Sequence, residues 1–374
     1  MNKKRIVFLC EFYRPHWTGI AQVSVTLAEL YAKTRPVTVI TTQLSSTQPK
    51  YSIENDVVVY RIPYLFKLSR TNYSPQTIIF FLKNILDFDS VFIHSPHSNI
   101  IFLSIISKLF RKKLFIYQHG DLILPTQTGN RVVNTVIQKL YDACTYLSYV
   151  LADCILTQTE DYAKQSRLMK RFMYKFTPYI FPLRSFNKKE SKKIALVLDN
   201  LHKEHVLIGF AGRFVEEKGF DILLNSIPLV LKKFHNVMFV FAGALNVSYE
   251  TFYEKNKALF EKNKEYITVL GLLNDEELAA FYKRIDCFVV PSRSDCFPYT
   301  QIEAMSFGAP SVVTNIPGAR VPVLKTRFGT IVKTKNVESL ANGIVETLKN
   351  KKKIMKYSTR LLPLLNSYGH IKNL

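Results

Sequence analysis

The sequence predicts an α/β chain of two doubly wound lobes, on three observations. Short β-branched and aromatic runs alternate with helical patterns from end to end, which is how parallel sheets covered on both faces are written. The alternation lapses in a lysine-rich stretch near the middle and then restarts. The 374 residues are long for one hydrophobic core and ordinary for two.

In the first half, the strand candidates are Arg5–Cys10, Val37–Thr41, Val57–Ile62, Ser90–His94, Leu114–Gln118 and Cys154–Thr157. Between the first two, Ile20, Val23, Leu27, Leu30 and Tyr31 recur at helical spacing. The chain starts with basic residues and an apolar stretch, but Glu11 and Arg14 end that stretch after about seven residues, so it reads as a buried strand and not as a secretion signal. The stretch 185–205 is rich in lysine, shows no clear period and is read as an interlobe linker. Strand candidates then resume at Leu207–Ala211, Val237–Ala242, Thr268–Leu270, Cys287–Val290, Ser311–Thr314 and Gly329–Val332. Phe220, Leu223, Leu224, Ile227, Val230, Leu231 and Phe234 mark one face of a helix that Pro228 should disturb. The expected domains are therefore a first lobe over 1–183, a linker over 184–205, a second lobe over 206–350 and a helical tail over 351–374 that crosses back to the first lobe.

Lys and Arg outnumber Asp and Glu 51 to 29, a net charge of +22. Residues 1–183 hold 22 basic and 11 acidic side chains and residues 184–374 hold 29 and 18, so each half stands at +11 and no single tail carries the charge. Such a field draws in anions, whether nucleotide diphosphates or an anionic lipid surface. Nucleic acid is disfavoured, because no helix-turn-helix, zinc-finger or RNP-like pattern accompanies the charge. The longest apolar run, residues 100–110, falls short of the ~20 residues of a membrane span. Five cysteines without a C-x-x-C spacing imply neither a disulfide framework nor a zinc site and fit a reducing cytoplasm.

Three segments carry chemistry, and each follows a strand, where open α/β sheets bind ligands. In GFAGRFVEEKGF, residues 209–220, Arg213 and Lys218 flank a turn that leads into a helix. Two cations beside a helix N-terminus suit a pyrophosphate, since dipole and charges add; an isolated R-x4-K is otherwise two surface cations. In residues 289–313, Asp295 lies in a loop and Glu303 in the following helix, with Gly308 and Pro310 ending it. Two carboxylates eight positions apart serve either as acid and base or as acceptors for sugar and ribose hydroxyls. In residues 12–22, Thr18-Gly19 near a helix start lets backbone amides approach a phosphate. The absence of G-x-G-x-x-G argues against a dinucleotide-dependent oxidoreductase.

Together these segments resemble the retaining family 4 glycosyltransferases of the GT-B fold, over nearly the whole chain. The family's E-x7-E followed by A-M-x-x-G-x-P is met by Asp295, Glu303 and AMSFGAP, and its G-R-x-x-x-x-K-G by GRFVEEKG. HSPHSN (94–99), YQHGD (117–121) and ADCILTQTEDYAKQS (152–166) look like its acceptor lobe. The resemblance implies two Rossmann-like domains facing across a cleft, with the acceptor bound by the first and a nucleotide-diphosphate sugar, UDP- or GDP-linked, by the second. It implies that Arg213 and Lys218 hold the diphosphate and stabilise the leaving nucleotide. Glu303 would accept from ribose hydroxyls and Asp295 from hydroxyls of the sugar, with the backbone near Phe297 and Tyr299 also at the donor. His119 would lie beside the sugar's reacting face, and Gly19 would let the first lobe's backbone close on the phosphate. No cofactor and no metal are implied. His94 and His97 have no third ligand near them in sequence.

The sequence departs from the family in three places. Asp295 is one methylene shorter than the usual glutamate, Pro298 lacks an N–H that would contact the donor, and TPYIFP (177–182) replaces a P-N-G segment. These departures keep two other readings in play, a non-catalytic sugar-nucleotide-binding partner subunit and a sugar-nucleotide epimerase or hydrolase. The resemblance further implies a glycan or lipid-linked acceptor in cell-surface polysaccharide or glycolipid synthesis, at the inner face of the cell membrane. KLFRKKLF (108–115) and an amphipathic basic helix over KQSRLMKRFMYK (164–175) are the segments suited to peripheral attachment.

Overall fold

The computed structural model describes residues 4–16, 19–68, 71–124, 131–180, 189–247 and 250–367. These residues divide into two compact units, one reaching residue 180 and the other starting at 189.

The first unit holds strands β1 (Ile6–Cys10), β2 (Val37–Gln43), β3 (Tyr51–Glu54), β4 (Val57–Pro63), β5 (Phe66–Leu68), β6 (Thr71–Tyr73), β7 (Ser90–Ser95), β8 (Lys113–Gln118), β9 (Cys154–Thr157) and β10 (Phe176–Pro178). Its helices are α1 (Gly19–Ala32), α2 (Pro75–Asn84), α3 (Ile100–Leu109), α4 (Arg131–Leu151) and α5 (Glu160–Gln165). Eight strands form one sheet in the order β10-β9-β8-β7-β1-β2-β4-β3. All pairs are parallel except β3 with β4, while β5 and β6 make a separate antiparallel hairpin. All five residues of β1 are buried, as a central strand covered on both faces requires.

The second unit holds β11 (Val206–Ala211), β12 (Val237–Ala242), β13 (Ile267–Gly271), β14 (Cys287–Val290), β15 (Ser311–Thr314) and β16 (Gly329–Val332). The helices are α6 (Lys192–His202), α7 (Phe220–Leu231), α8 (Phe252–Lys255), α9 (Lys257–Lys262), α10 (Asp275–Arg284), α11 (Tyr299–Ser306), α12 (Val321–Thr326), α13 (Val337–Lys349), α14 (Lys351–Met355) and α15 (Leu361–Ser367). Six parallel strands run in the order β13-β12-β11-β14-β15-β16. β12 shows why its sequence has no polar alternation. Val237, Phe239 and Phe241 enter the core beneath α7 and α13, while Met238, Val240 and Ala242 enter the core on the opposite face. The order β12-β11-β14 reverses direction at β11, so the loops after β11 and β14 flank the topological switch point.

Two sequence expectations need correction. The stretch expected as linker is helical over Lys192–His202, capped by the Ser191 side chain, with Ile194, Ala195 and Leu198 packed in the second core. Residues 164–175 are not one amphipathic helix. α5 stops at Gln165, two short 3-10 turns follow at Met169–Arg171 and Met173–Lys175, and Met169 and Phe172 are buried. The tail's last described helix, α15, packs against α11 and α12 of its own unit. The rest of the tail, from 368, lies outside the described residues, as does Thr18 of the N-terminal turn.

Candidate functional site

In the second unit the strand-end chemistry is built by two loops that are stapled together. After β11, Phe214 and Val215 are fully buried, and the Phe214 and Phe220 rings meet at 4.0 Å between centroids. These anchors fix a turn on which Arg213, Glu217 and Lys218 stay partly exposed while Glu216 is buried. Gly219 closes the turn in the left-handed region at φ 70°, and a Cβ there would lie 2.0 Å from the Pro291 carbonyl oxygen, so only glycine fits. Arg293, from the loop after β14, grips Asp221 through two hydrogen bonds of 2.7 and 2.6 Å and donates to the Glu216 carbonyl at 2.8 Å. Its own N–H reaches the Glu217 carbonyl at 2.7 Å.

This staple brings Lys218 and Asp295, 77 positions apart in sequence, into a close ion pair. Burial opposes the charge on Lys218, but the carboxylates of Asp295 and Glu217 outweigh it and hold the ammonium's pKa above its ordinary value. Arg213 engages Glu217 at 3.1 Å. The two cations expected at the diphosphate thus stand on one turn, each held by a carboxylate that a more highly charged anion competes with. Glu303, on α11, is buried and accepts a hydrogen bond of 2.9 Å from the Tyr282 hydroxyl of α10.

The loop between them is tightly constrained. Gly318, at φ 82°, leaves no room for a side chain, since a Cβ would meet the Cys296 carbonyl oxygen at 1.8 Å. Phe297 is buried with its ring 5.4 Å from that of Tyr299, edge to face. Pro298 serves as the N-cap of α11 without a side-chain cap. Burial raises the Cys296 thiol, which hydrogen-bonds to the backbone at residues 296 and 297, so it is held as a neutral thiol and not as a nucleophile.

In the first unit the polar residues gather at the ends of β1, β7 and β8. The His119 and His94 rings stack at 5.1 Å between centroids, and His119 Nε2 lies 2.9 Å from His94 Nδ1, which also lies 3.0 Å from Ser24 Oγ of α1. Tyr117 meets His119 edge to face at 4.6 Å. Burial pushes His94 down to about 3 and His97 to about 4, and moves His119 in the same direction. All three imidazoles are neutral near pH 7, so His119 is equipped to exchange hydrogen bonds but brings no charge. Gly19 opens α1 at an exposed position, with nothing within 4 Å of where a Cβ would stand. Packing among the described residues therefore does not demand a glycine there.

Sequence reasoning missed Glu11, which follows β1. It is 4% exposed, accepts from the Ser98 backbone N–H, and burial lifts its carboxyl to about 7. The only signal was an acidic residue ending an apolar strand. Also missed were Tyr282, the partner of Glu303, and the Arg293–Asp221 clamp, because neither pairing has a fixed spacing in sequence. Among the described residues no three His, Cys, Asp or Glu side chains converge in a way that would hold a metal ion.

Residues 193–360 match the family described as glycosyl transferases group 1. A capsular polysaccharide biosynthesis glycosyltransferase of Staphylococcus aureus, CapM, is 28% identical over 158 residues, covering 42% of this chain and 39% of that protein. The chain thus spans about two fifths of that relative's length. An uncharacterised glycosyltransferase of Haemophilus influenzae is 23% identical over 94% of this chain and 92% of its own. Among solved structures, HepE of Anabaena in complex with UDP-glucose superposes with a TM-score of 0.74 at 14% identity, over 97% of this chain and 95% of that one. Two Rossmann-like sheets, the strand-end turns they position and these likenesses converge: the chain has the GT-B fold, and its residues 193–360 match the glycosyl transferases group 1 family.

Proposed function

We propose that the chain transfers a sugar, with retention of configuration, from a nucleoside diphosphate sugar to a hydroxyl of a glycan or lipid-linked acceptor in cell-surface polysaccharide synthesis. The Lys218–Asp295 pair beside Arg213, at the switch point of the second sheet, carries this reading. A diphosphate placed over the turn offers Lys218 more negative charge than one carboxylate does. Lys218 then turns to the phosphates with Arg213, and the Asp295 carboxylate is released to accept from sugar hydroxyls. As the bond from sugar to phosphate breaks, charge builds on the leaving diphosphate, and both cations stabilise it. Glu303, held by Tyr282, accepts from the ribose. The neutral His119 imidazole hydrogen-bonds at the sugar, and the phosphate oxygen assists the incoming hydroxyl on the same face.

The relative acting in capsular polysaccharide biosynthesis supports the product class, and the neighbour solved with UDP-glucose makes UDP-linked sugars the first donors to try, with GDP-linked sugars next. Arg213 and Lys218 supply the positive charge, so turnover is expected to persist unchanged in EDTA. The reaction is placed at the cytoplasmic face of the membrane; among the described residues no helix is long and apolar enough to cross it. Pro298, which removes a loop donor, favours one other reading, a sugar-nucleotide-binding subunit that works only with a catalytic partner. The test is transfer from radiolabelled nucleotide sugars to membrane extract by the purified chain. Label appearing in a glycan or lipid product, with anomeric configuration retained by NMR, supports transfer. Donor bound but never consumed supports the subunit reading.

A further inference from the structure

We infer that the outward face of α4 docks on an anionic lipid bilayer. Its 21 residues make a rod of about 30 Å, and the rod is amphipathic in the inverted sense. Thr145, Ser148 and Tyr149 are its buried residues. Tyr141 bonds inward to Ser95 Oγ at 3.1 Å and to the His97 N–H at 2.9 Å, and Asp142 pairs with Arg167 at 2.9 Å. The apolar stripe points the other way. Val132, Val136, Leu140, Leu147 and Val150 are 50 to 71% exposed, and their spacing of four, four, seven and three places them on one side along the whole helix. A helix in water normally does the reverse. α3, which packs on α4, adds Phe102, Ile105 and Leu109 at 42 to 74% exposure.

Charge selects the occupant. Residues 100–151 hold six basic side chains and two acidic ones. Asp121 and Asp142 are engaged by the 166–167 turn, and Asp153, just past α4, pairs with Lys108 at 2.8 Å. Lys139 is exposed beside the stripe and Arg131 at its start, while Arg111 and Lys112 follow the end of α3. An apolar stripe edged with cations lies in the headgroup region of an anionic bilayer, its side chains reaching the acyl boundary and its cations the phosphates. A second copy is a poorer occupant, because two chains at +22 would meet through like charges. The inward side of the same helix holds the loop of Ser95 and His97 at the end of β7, so the docked face and the first unit's polar cluster share one rod. This inference stands on α4 alone and survives if the proposed transfer does not. It displaces the 164–175 segment, whose apolar residues Met169 and Phe172 are buried.

Flotation of the purified chain with phosphatidylglycerol/phosphatidylethanolamine vesicles, against phosphatidylcholine vesicles, tests it. The wild type is expected to float with the anionic vesicles at low salt and less at high salt. The double variant Leu140→Glu/Leu147→Glu is expected to lose about tenfold or more in partitioning. The neutral pair Leu140→Gln/Leu147→Gln should lose less than that, with both variants retaining the wild-type circular dichroism spectrum and melting cooperatively. Donor turnover, measured separately, reports on the reaction and not on docking. Wild type left in the bottom fraction, or variants that float as well as wild type, overturns the inference. So does a dimer in sedimentation equilibrium that the Glu pair dissolves while no vesicle binding is found.

Discussion

Glu11 and the buried histidines give the first unit two opposed pH responses. The folded pKa of Glu11 is raised from 4.5 to about 7, so the stability it contributes is fully present below 4.5 and is lost as pH rises through 7. Replacing it by Gln removes a penalty of up to about 3 kcal/mol at neutral pH. The difference in unfolding midpoint between Glu11→Gln and wild type should therefore grow in the variant's favour from pH 4.5 to 7, and a pH series of melting curves measures it. A flat difference would show that Glu11 is charged without penalty. His94 and His97, lowered to about 3 and 4, act in the other direction. Their contribution is present above 6.5 and is lost as pH falls toward those values, so acid melts the unit even where Glu11 is protonated. In the second unit, Tyr282→Phe removes one donor from the buried Glu303 carboxylate and should destabilise by about 1–3 kcal/mol. Differential scanning calorimetry would see a drop of several degrees; an unchanged melt would mean that Glu303 is satisfied elsewhere. Of these side chains His94, His97 and Glu303 were legible from the motifs, while Glu11 and Tyr282 were not, and none of the partners were. Lys218 and Asp295 are joined across two loops that Arg293 ties together, and no local spacing encodes a contact across 77 positions.

At the level of elements, the strands of both sheets were the most readable part. Cys154–Thr157, Val237–Ala242, Cys287–Val290, Ser311–Thr314 and Gly329–Val332 begin and end at the residues expected from the sequence. The strands that went unread, β3, β5, β6 and β10, are three or four residues long and lie at a sheet edge or in a separate hairpin, too short to display a period. α6 was hidden for another reason. Its apolar positions Ile194, Leu198 and Leu201 do recur at helical spacing, but the lysines before them read as linker. The loop between β14 and α11 can be probed through its support. Gly318→Ala forces a Cβ into the Cys296 carbonyl oxygen and needs a left-handed φ, so the loop must move. Donor affinity should fall about tenfold or more, read by calorimetry, while the far-ultraviolet circular dichroism spectrum stays native. Retained affinity would show that Asp295 is held in place without this contact.

Over the whole molecule, the charge of +22 is spread over both halves, and the two units put it to different uses. The second gathers Arg213, Lys218 and Arg293 around one turn, each matched by a carboxylate. The first leaves cations beside the apolar face of α4. The two doubly wound units followed from the strand–helix alternation and its restart, and the GT-B fold from the resemblance that the motifs carry. The lipid-facing reading of α4 did not, because a helical period shows that a face is apolar but not which way it points.

The central claim is that Arg213 and Lys218 bind a nucleoside diphosphate. Titration of UDP, GDP, ADP and CMP into the wild type and into Arg213→Ala and Lys218→Ala, by isothermal calorimetry, tests it most directly. One diphosphate should bind in preference to the others, with affinity reduced about 100-fold in each variant while the variants melt as folded proteins. Absence of binding by every nucleotide, or equal binding by wild type and both variants, would contradict the account.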